Sequence, residues 1–304
     1  MHIPDHMLSS QVSSVSAITS VVAVAGAIYF AVTSKDKPNV LKFAAISSLI
    51  FALQMMNFPI QNGTSGHFLG TTFAIGLLRV PFGILSMVMV LTVQCLVFAD
   101  GGLTMLGANI LNMAIVGAIP GIIINFMLKN KDVFNTKIKH FGLLFLGSWL
   151  SIVLASFVCS IELGISGMVG LNKAIPAMVS VHSIIGVFEG IITISLFFIL
   201  SDTKIKESNK LSFIVPVISA MIIALILSPF ASGFPDGLEW VAEKLAFLHE
   251  SAPLFVSPLS DYTLPIIKNQ VLTTGVAGFI GVVITFLVVL LIGKIVSLKK
   301  ESSN

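Results

Sequence analysis

Phe82-Gly83-Ile84-Leu85-Ser86-Met87-Val88-Met89-Val90-Leu91-Thr92-Val93-Gln94-Cys95-Leu96-Val97-Phe98-Ala99 contains no Asp, Glu, Lys, Arg or His. About 20 apolar residues in a helix rising 1.5 Å each cross the hydrocarbon core of a bilayer. The same signature recurs near 12–33, 40–57, 68–80, 103–128, 141–161, 178–200, 211–231 and 270–296. The chain therefore reads as an all-α polytopic membrane protein with about nine transmembrane helices. The run at 68–80 is short and interrupted by Gly70, Gly76 and Pro81, which predicts a bent or half-length helix there. Composition agrees: 56% of residues are hydrophobic, 10% are charged, and the mean hydropathy is +1.01, outside the range of soluble domains.

Basic residues orient the spans, since Lys and Arg collect on the cytoplasmic side. With the N-terminus outside, the inner segments hold Lys35, Lys37, Lys42, Arg79, Lys129, Lys131, Lys137, Lys139, Lys204, Lys206, Lys210, Lys294, Lys299 and Lys300. The outer segments keep only Lys173, Lys244 and Lys268, so the reading is N-out and C-in. The net charge of +3 is thus topological, and nucleic acid is not an expected partner; the lipid bilayer is. Residues 1–200 read as a seven-helix bundle, 201–210 as a polar cytoplasmic linker, and 211–304 as a two-helix hairpin with an outer loop at 232–269. Asp5, Asp100, Glu162, Asp236, Glu239, Glu243, Glu250 and Asp261 all fall outside in this scheme; a surface that modestly concentrates divalent cations is one reading, ordinary polar solvated loops the other.

The first residues, Met1-His2-Ile3-Pro4-Asp5-His6-Met7, carry no signal-peptide pattern. The bulky His2 is expected to protect Met1 from removal and leave its α-amine in place. The amine, the amide nitrogen of His2 and the His2 imidazole can close fused chelate rings around one ion. Three coplanar nitrogens leave a fourth position open, a geometry suited to Ni(II) or Cu(II). The loop Asn57 to His67 is on the same side, and His67 is the natural fourth nitrogen.

Within the spans, His182 and Glu189 lie seven residues apart and so on one helical face. Ionisable groups there are costly; a proton or ion relay is one reading, a pair tying helices together the other. Gln54, Gln94, Asn109 and Asn112 suit interhelical hydrogen bonds, and Ala23, Ala27 and Ala31 make a stripe for close helix approach. Cys95 and Cys159 fall inside apolar runs and read as free core thiols. There is no G-x-x-x-x-G-K-[ST] loop, no H-E-x-x-H and no G-x-S-x-G, so neither a Walker ATPase nor those hydrolase classes fit.

Met1-His2-Ile3-Pro4-Asp5, Gln54-Met55-Met56-Asn57-Phe58-Pro59, Gly63-Thr64-Ser65-Gly66-His67, Phe98-Ala99-Asp100-Gly101-Gly102, Gly107 to Met113 and His182 to Gly190 closely resemble the substrate-binding subunit of cobalt/nickel energy-coupling-factor transporters, the CbiM/NikM family. The tail, with Pro235-Asp236-Gly237-Leu238-Glu239, resembles the two-helix PDGLE accessory component, here fused. The resemblance implies metal ligation by the amine of Met1, the amide and imidazole of His2, and His67. Asn57, Ser65, Asp100, His182, Glu189 and His6, which replaces the glycine common after Asp5, are then candidates for a surrounding shell or path. It implies Ni(II) or Co(II) as transported substrate, no organic cofactor, and a prokaryotic plasma-membrane location. It further implies a membrane-embedded coupling subunit and two cytoplasmic ATPases as partners, with no enzyme activity in this chain. Two other classes remain: a stand-alone divalent metal channel or secondary carrier using His182 and Glu189, and a membrane factor in cobalamin synthesis.

Overall fold

The computed structural model describes residues 1–128, 137–201, 210–248 and 255–298. The expected linker at 201–210 lies almost wholly outside the described residues, as do Lys129, Lys131, Lys204, Lys206, Lys299, Lys300 and Glu250. The helices form where apolar runs meet polar starts. Ser9 opens α1 (Ser10–Thr33) by accepting from Val12 N, and Asn39 opens α2 (Val40–Gln54) by accepting from Leu41 N at 2.8 Å. After α2, a tight hairpin pairs β1 (Phe58–Pro59) with β2 (Ser65–Gly66) and leads into the half-length helix α3 (Thr71–Leu78).

Helix α4 (Val80–Phe98) runs back, followed by a broken span of α5 (Leu106–Asn109), a π-helical turn (Ile110–Val116) and α6 (Ala118–Leu128). Two long helices, α7 (Lys137–Ile165) and α8 (Leu171–Ser201), then pack along each other. The last part is α9 (Leu211–Ile222), continued by a π-helical turn (Ile223–Leu227) and a 3-10 turn (Ser228–Phe230), a short helix α10 (Gly237–Lys244), and α11 (Gln270–Leu298).

Among the described residues, seven segments are long and apolar enough to span a bilayer. The other two expected spans are α2, of 15 residues, and α3, of eight. Helix α2 stops at Gln54 rather than near residue 57. Every residue from Phe43 to Gln54 is buried, because α4, α9 and α11 close around it, so α2 faces protein instead of lipid. Helix α1 behaves oppositely: Val15, Ile18, Val21, Val22, Tyr29 and Phe30 are exposed, as a lipid-facing helix requires. Its inner stripe is Ser13, Ser16, Ser20, Ala27 and Ala31, and the Ser13 and Ser20 hydroxyls donate to the carbonyls of Thr104 and Gly107.

Glu162 is not on an outer loop. Helix α7 continues to Ile165, and Glu162 is buried, accepting from the Ser16 hydroxyl at 2.6 Å and Asn112 Nδ2 at 2.5 Å. A helix with polar partners on two neighbours does not have to end at its first charge. Both cysteines are buried and free. Met1 sits at one end of the bundle; at the other, Arg79 meets Asp36 at 3.3 Å and Lys37 Nζ donates to Val296 O at 2.8 Å.

The two-helix part is built into the fold by close packing. A β-carbon at Gly281 of α11 would collide with the Phe51 ring of α2 and lie 2.8 Å from the Phe98 ring. Gly281→Val is therefore expected to destabilise the protein by ~1–3 kcal/mol through overpacking. Thermal melting in detergent should show a lowered Tm, whereas Val at Gly26, which has nothing within 4 Å, leaves it unchanged.

Candidate metal centre

Residues 1–8 fold inward instead of fraying. Met1 is 3% exposed and Ile3 0%. Asn109, at the end of α5, clamps both main-chain polar groups of one residue: Ile3 N donates to its Oδ1 at 2.8 Å and its Nδ2 donates to Ile3 O at 3.1 Å. Gly102 N also donates to Ile3 O, at 2.9 Å, and a side chain at Gly102 would strike the main chain of Asp5. Asp5 Oδ1 accepts from the main-chain N and hydroxyl of Thr104. Beyond Pro4 the chain turns at His6, whose φ of +66° lies in the left-handed region and whose side chain is exposed. Glycine adopts that conformation freely and histidine tolerates it better than most. His6 is not among the residues that line the cavity described below.

This seat brings three nitrogen-bearing groups together. The Met1 amine lies 2.6 Å from His67 Nε2 and also contacts Asp236 Oδ2. His67 Nδ1 is 3.1 Å from Phe68 O, which only accepts, so Nδ1 carries the hydrogen and Nε2 presents its lone pair. Burial first, then the nearby Met1 amine and His2, push the His67 pKa down to about 3, which keeps the ring neutral. The His2 ring stacks on it with centroids 5.1 Å apart and planes 20° apart. His2 Nδ1 meets Asp100 Oδ1 at 3.0 Å, and Tyr262 donates its hydroxyl to Asp100 Oδ2 at 2.6 Å. Burial alone would raise the Asp100 carboxyl, but His2 and the Tyr262 hydroxyl outweigh it and hold it below the usual range.

The His2 and His67 rings border a cavity of about 220 Å³, also lined by Asn57, Asp100, Asp236 and Tyr262. Among the described residues, no three His, Cys, Asp or Glu side chains converge to hold a metal ion.

The remaining candidates divide. Asn57 lines the cavity, and its carbonyl accepts from Ser232 N at 2.8 Å. Ser65 serves the loop above: its N and hydroxyl donate to Pro235 O and Phe234 O at 2.9 and 2.8 Å. Glu189 is deeper, with its two oxygens accepting from Leu69 N (2.7 Å) and Gly70 N (2.8 Å) at the start of α3. A buried helix start leaves N–H groups unsatisfied, and this carboxylate supplies their partner. His182 Nδ1 bonds Met178 O within its own helix, and its ring packs against Gly237. His182 and Glu189 are thus engaged separately. Sequence reading missed Asp236 and Tyr262 as site residues, and took Asn109 for interhelical packing. The available signal was the D-x-x-E spacing of Asp236 and Glu239, a capping box that fixes the start of α10.

The model of the cobalt uptake substrate-specific transmembrane region matches residues 2–207, and that of the PDGLE domain matches 210–298. The chain belongs to the CbiM cobalt-uptake family. It is 35% identical over 294 residues to the putative fused nickel transport protein NikMN of Archaeoglobus fulgidus, covering 93% of this chain and 95% of that one. It is 30% identical to the probable fused nickel transport protein LarMN of Lactiplantibacillus plantarum, over 81% of this chain and 79% of that one. A crystal structure described as a transition metal transporter superposes with a TM-score of 0.59 at 31% identity, over 70% of this chain and 96% of the other. This CbiM-family chain is a multi-pass membrane protein and a nickel/cobalt transport component.

Asn109→Ala removes both side-chain bonds to Ile3 and is expected to cost the seat ~1–3 kcal/mol. Hydrogen exchange of residues 2–8 should then speed up by about tenfold or more, with the melting of the bundle little changed. Unaltered exchange would mean that Asn109 does not hold the segment.

Proposed function

We propose that this chain is the substrate-capture component of an ATP-driven uptake transporter, binding Ni(II) or Co(II) on the extracytoplasmic side. The ligands are the Met1 amine, the amide and imidazole nitrogens of His2, and His67 Nε2. The observation that carries this reading is the buried approach of the Met1 amine to His67 Nε2, at 2.6 Å, with the His2 ring stacked alongside. Four nitrogens of that origin suit a planar site for a d-block ion. Ligation by His2 exchanges its Asp100 contact for the ion, and Asp100 stays near as a counter-charge. The extracytoplasmic assignment rests on the lysine distribution along the chain.

Residues 1–200 form the metal-binding part in this reading, 201–210 the cytoplasmic linker, and 211–304 the accessory part. The resemblance to energy-coupling-factor transporters supplies the partners in this reading, two cytoplasmic ATPases acting through a membrane-embedded coupling subunit, and the lack of a Walker loop in this sequence accords with it. Glu189 is occupied with the start of α3, which gives a channel through His182 and Glu189 no support.

Elemental analysis after equilibration with equimolar Ni(II) and Co(II) tests the reading, comparing native protein with a form carrying two extra residues before Met1. Native protein should retain about one ion and the extended form almost none, since the planar chelate needs the free amine. Equal binding, or no binding by either, would overturn it.

A further inference from the structure

One buried carboxylate beside the proposed ligands has no part in the chelate. Asp236 is 8% exposed and belongs to the C-terminal part of the chain. Its two oxygens face different ways. Oδ1 accepts from Leu238 N at 2.8 Å and Glu239 N at 2.9 Å, while Glu239 Oε2 accepts from Asp236 N at 3.0 Å. These bonds fix the side chain at the start of α10. Oδ2 is left to face the Met1 amine directly and lies 3.9 Å from His67 Nε2.

The support around Asp236 is just as firm. Ser65, two residues before His67, ties down Pro235 and Phe234 through its N and hydroxyl. Trp240 Nε1 donates to Asn62 O at 3.1 Å, and Leu238 is fully buried. The segment that carries Asp236 is thereby strapped to the loop that carries His67.

We propose that Asp236 is a positioning residue for the metal site: its Oδ2 accepts a hydrogen bond from the Met1 amine and aims the amine lone pair at the ion shared with His67. The inference rests on the ligand set proposed above. A metal-bound amine keeps two N–H groups, and it turns freely about its bond to the α-carbon unless one of them has a fixed acceptor. A carboxylate in that place orients the ligand, raises its basicity and offsets part of the dication's charge, as outer partners of metal ligands commonly do. The C-terminal part therefore contributes to metal affinity itself.

The test uses the full chain in detergent, with Ni(II) titrated by calorimetry and followed by its visible absorption. Asp236→Asn retains a good helix cap, because Asn caps as well as Asp. With its oxygen on the cap, it turns an N–H donor toward the amine. Asp236→Ser also caps the helix and leaves nothing facing the amine. Both variants should bind Ni(II) ~10–100-fold more weakly and shift the metal's absorption band, while circular dichroism shows the metal-free protein still folded despite the melting temperature lost with the Met1–Asp236 pair. Glu243→Gln, an exposed charge removed from the same helix, should leave affinity and spectrum as they are.

Wild-type affinity and spectrum in Asp236→Asn and Asp236→Ser would overturn the inference, as would an equal loss in Glu243→Gln. The form extended before Met1, titrated in parallel, separates the two levels. If it binds like native protein, the amine ligand itself is wrong. If it fails to bind while both Asp236 variants bind normally, the ligand set stands and only the role of Asp236 falls.

Discussion

The end of this protein that carries Met1 depends on an amine that has left water. Met1 is 3% exposed, and a positively charged or strongly polar group at that depth is tolerated only with close partners. His67 and Asp236 supply them. Everything nearby follows from keeping that meeting in place: Asn109 grips Ile3, Gly102 lets the chain pass, and Thr104 holds Asp5. The partners come from a hairpin, a broken helix and the C-terminal part, so the site exists only when distant regions of the chain have assembled.

A second constraint lies one layer deeper. Helix α3 begins inside the protein, four residues beyond His67, and the N–H groups that lead into it need an acceptor. Glu189 provides it from α8, while Gln54 Nε2 donates to Leu69 O at 2.6 Å from α2. An acidic residue within a span is costly and calls for an explanation; here the explanation is a buried helix start. It also anchors the turn that presents His67, which links the packing of the bundle to the geometry of the candidate site.

Much of this was legible in the sequence. Apolar runs of bilayer length gave the helices, and the glycines near residue 70 marked α3 as half-length. His2 and His67 were readable as a pair because the lysine pattern put them on one side. Tertiary facts were not readable. Helix α2 looks like a span by hydropathy, yet it is a buried core helix whose length is set by its neighbours. Glu162 looks like a loop residue, yet partners on α1 and the π-helical turn keep it inside. Asp236 is distant from Met1 in sequence, and no local pattern connects the two; only its helix-capping role was encoded nearby.

The central claim is that a nitrogen-built site at the chain's own terminus holds the transported ion. X-ray absorption of the nickel-loaded full-length protein tests it most directly. A near-planar shell of about four nitrogen neighbours with imidazole scattering and no sulfur is expected. A six-coordinate, oxygen-rich shell, or one containing sulfur, would contradict it.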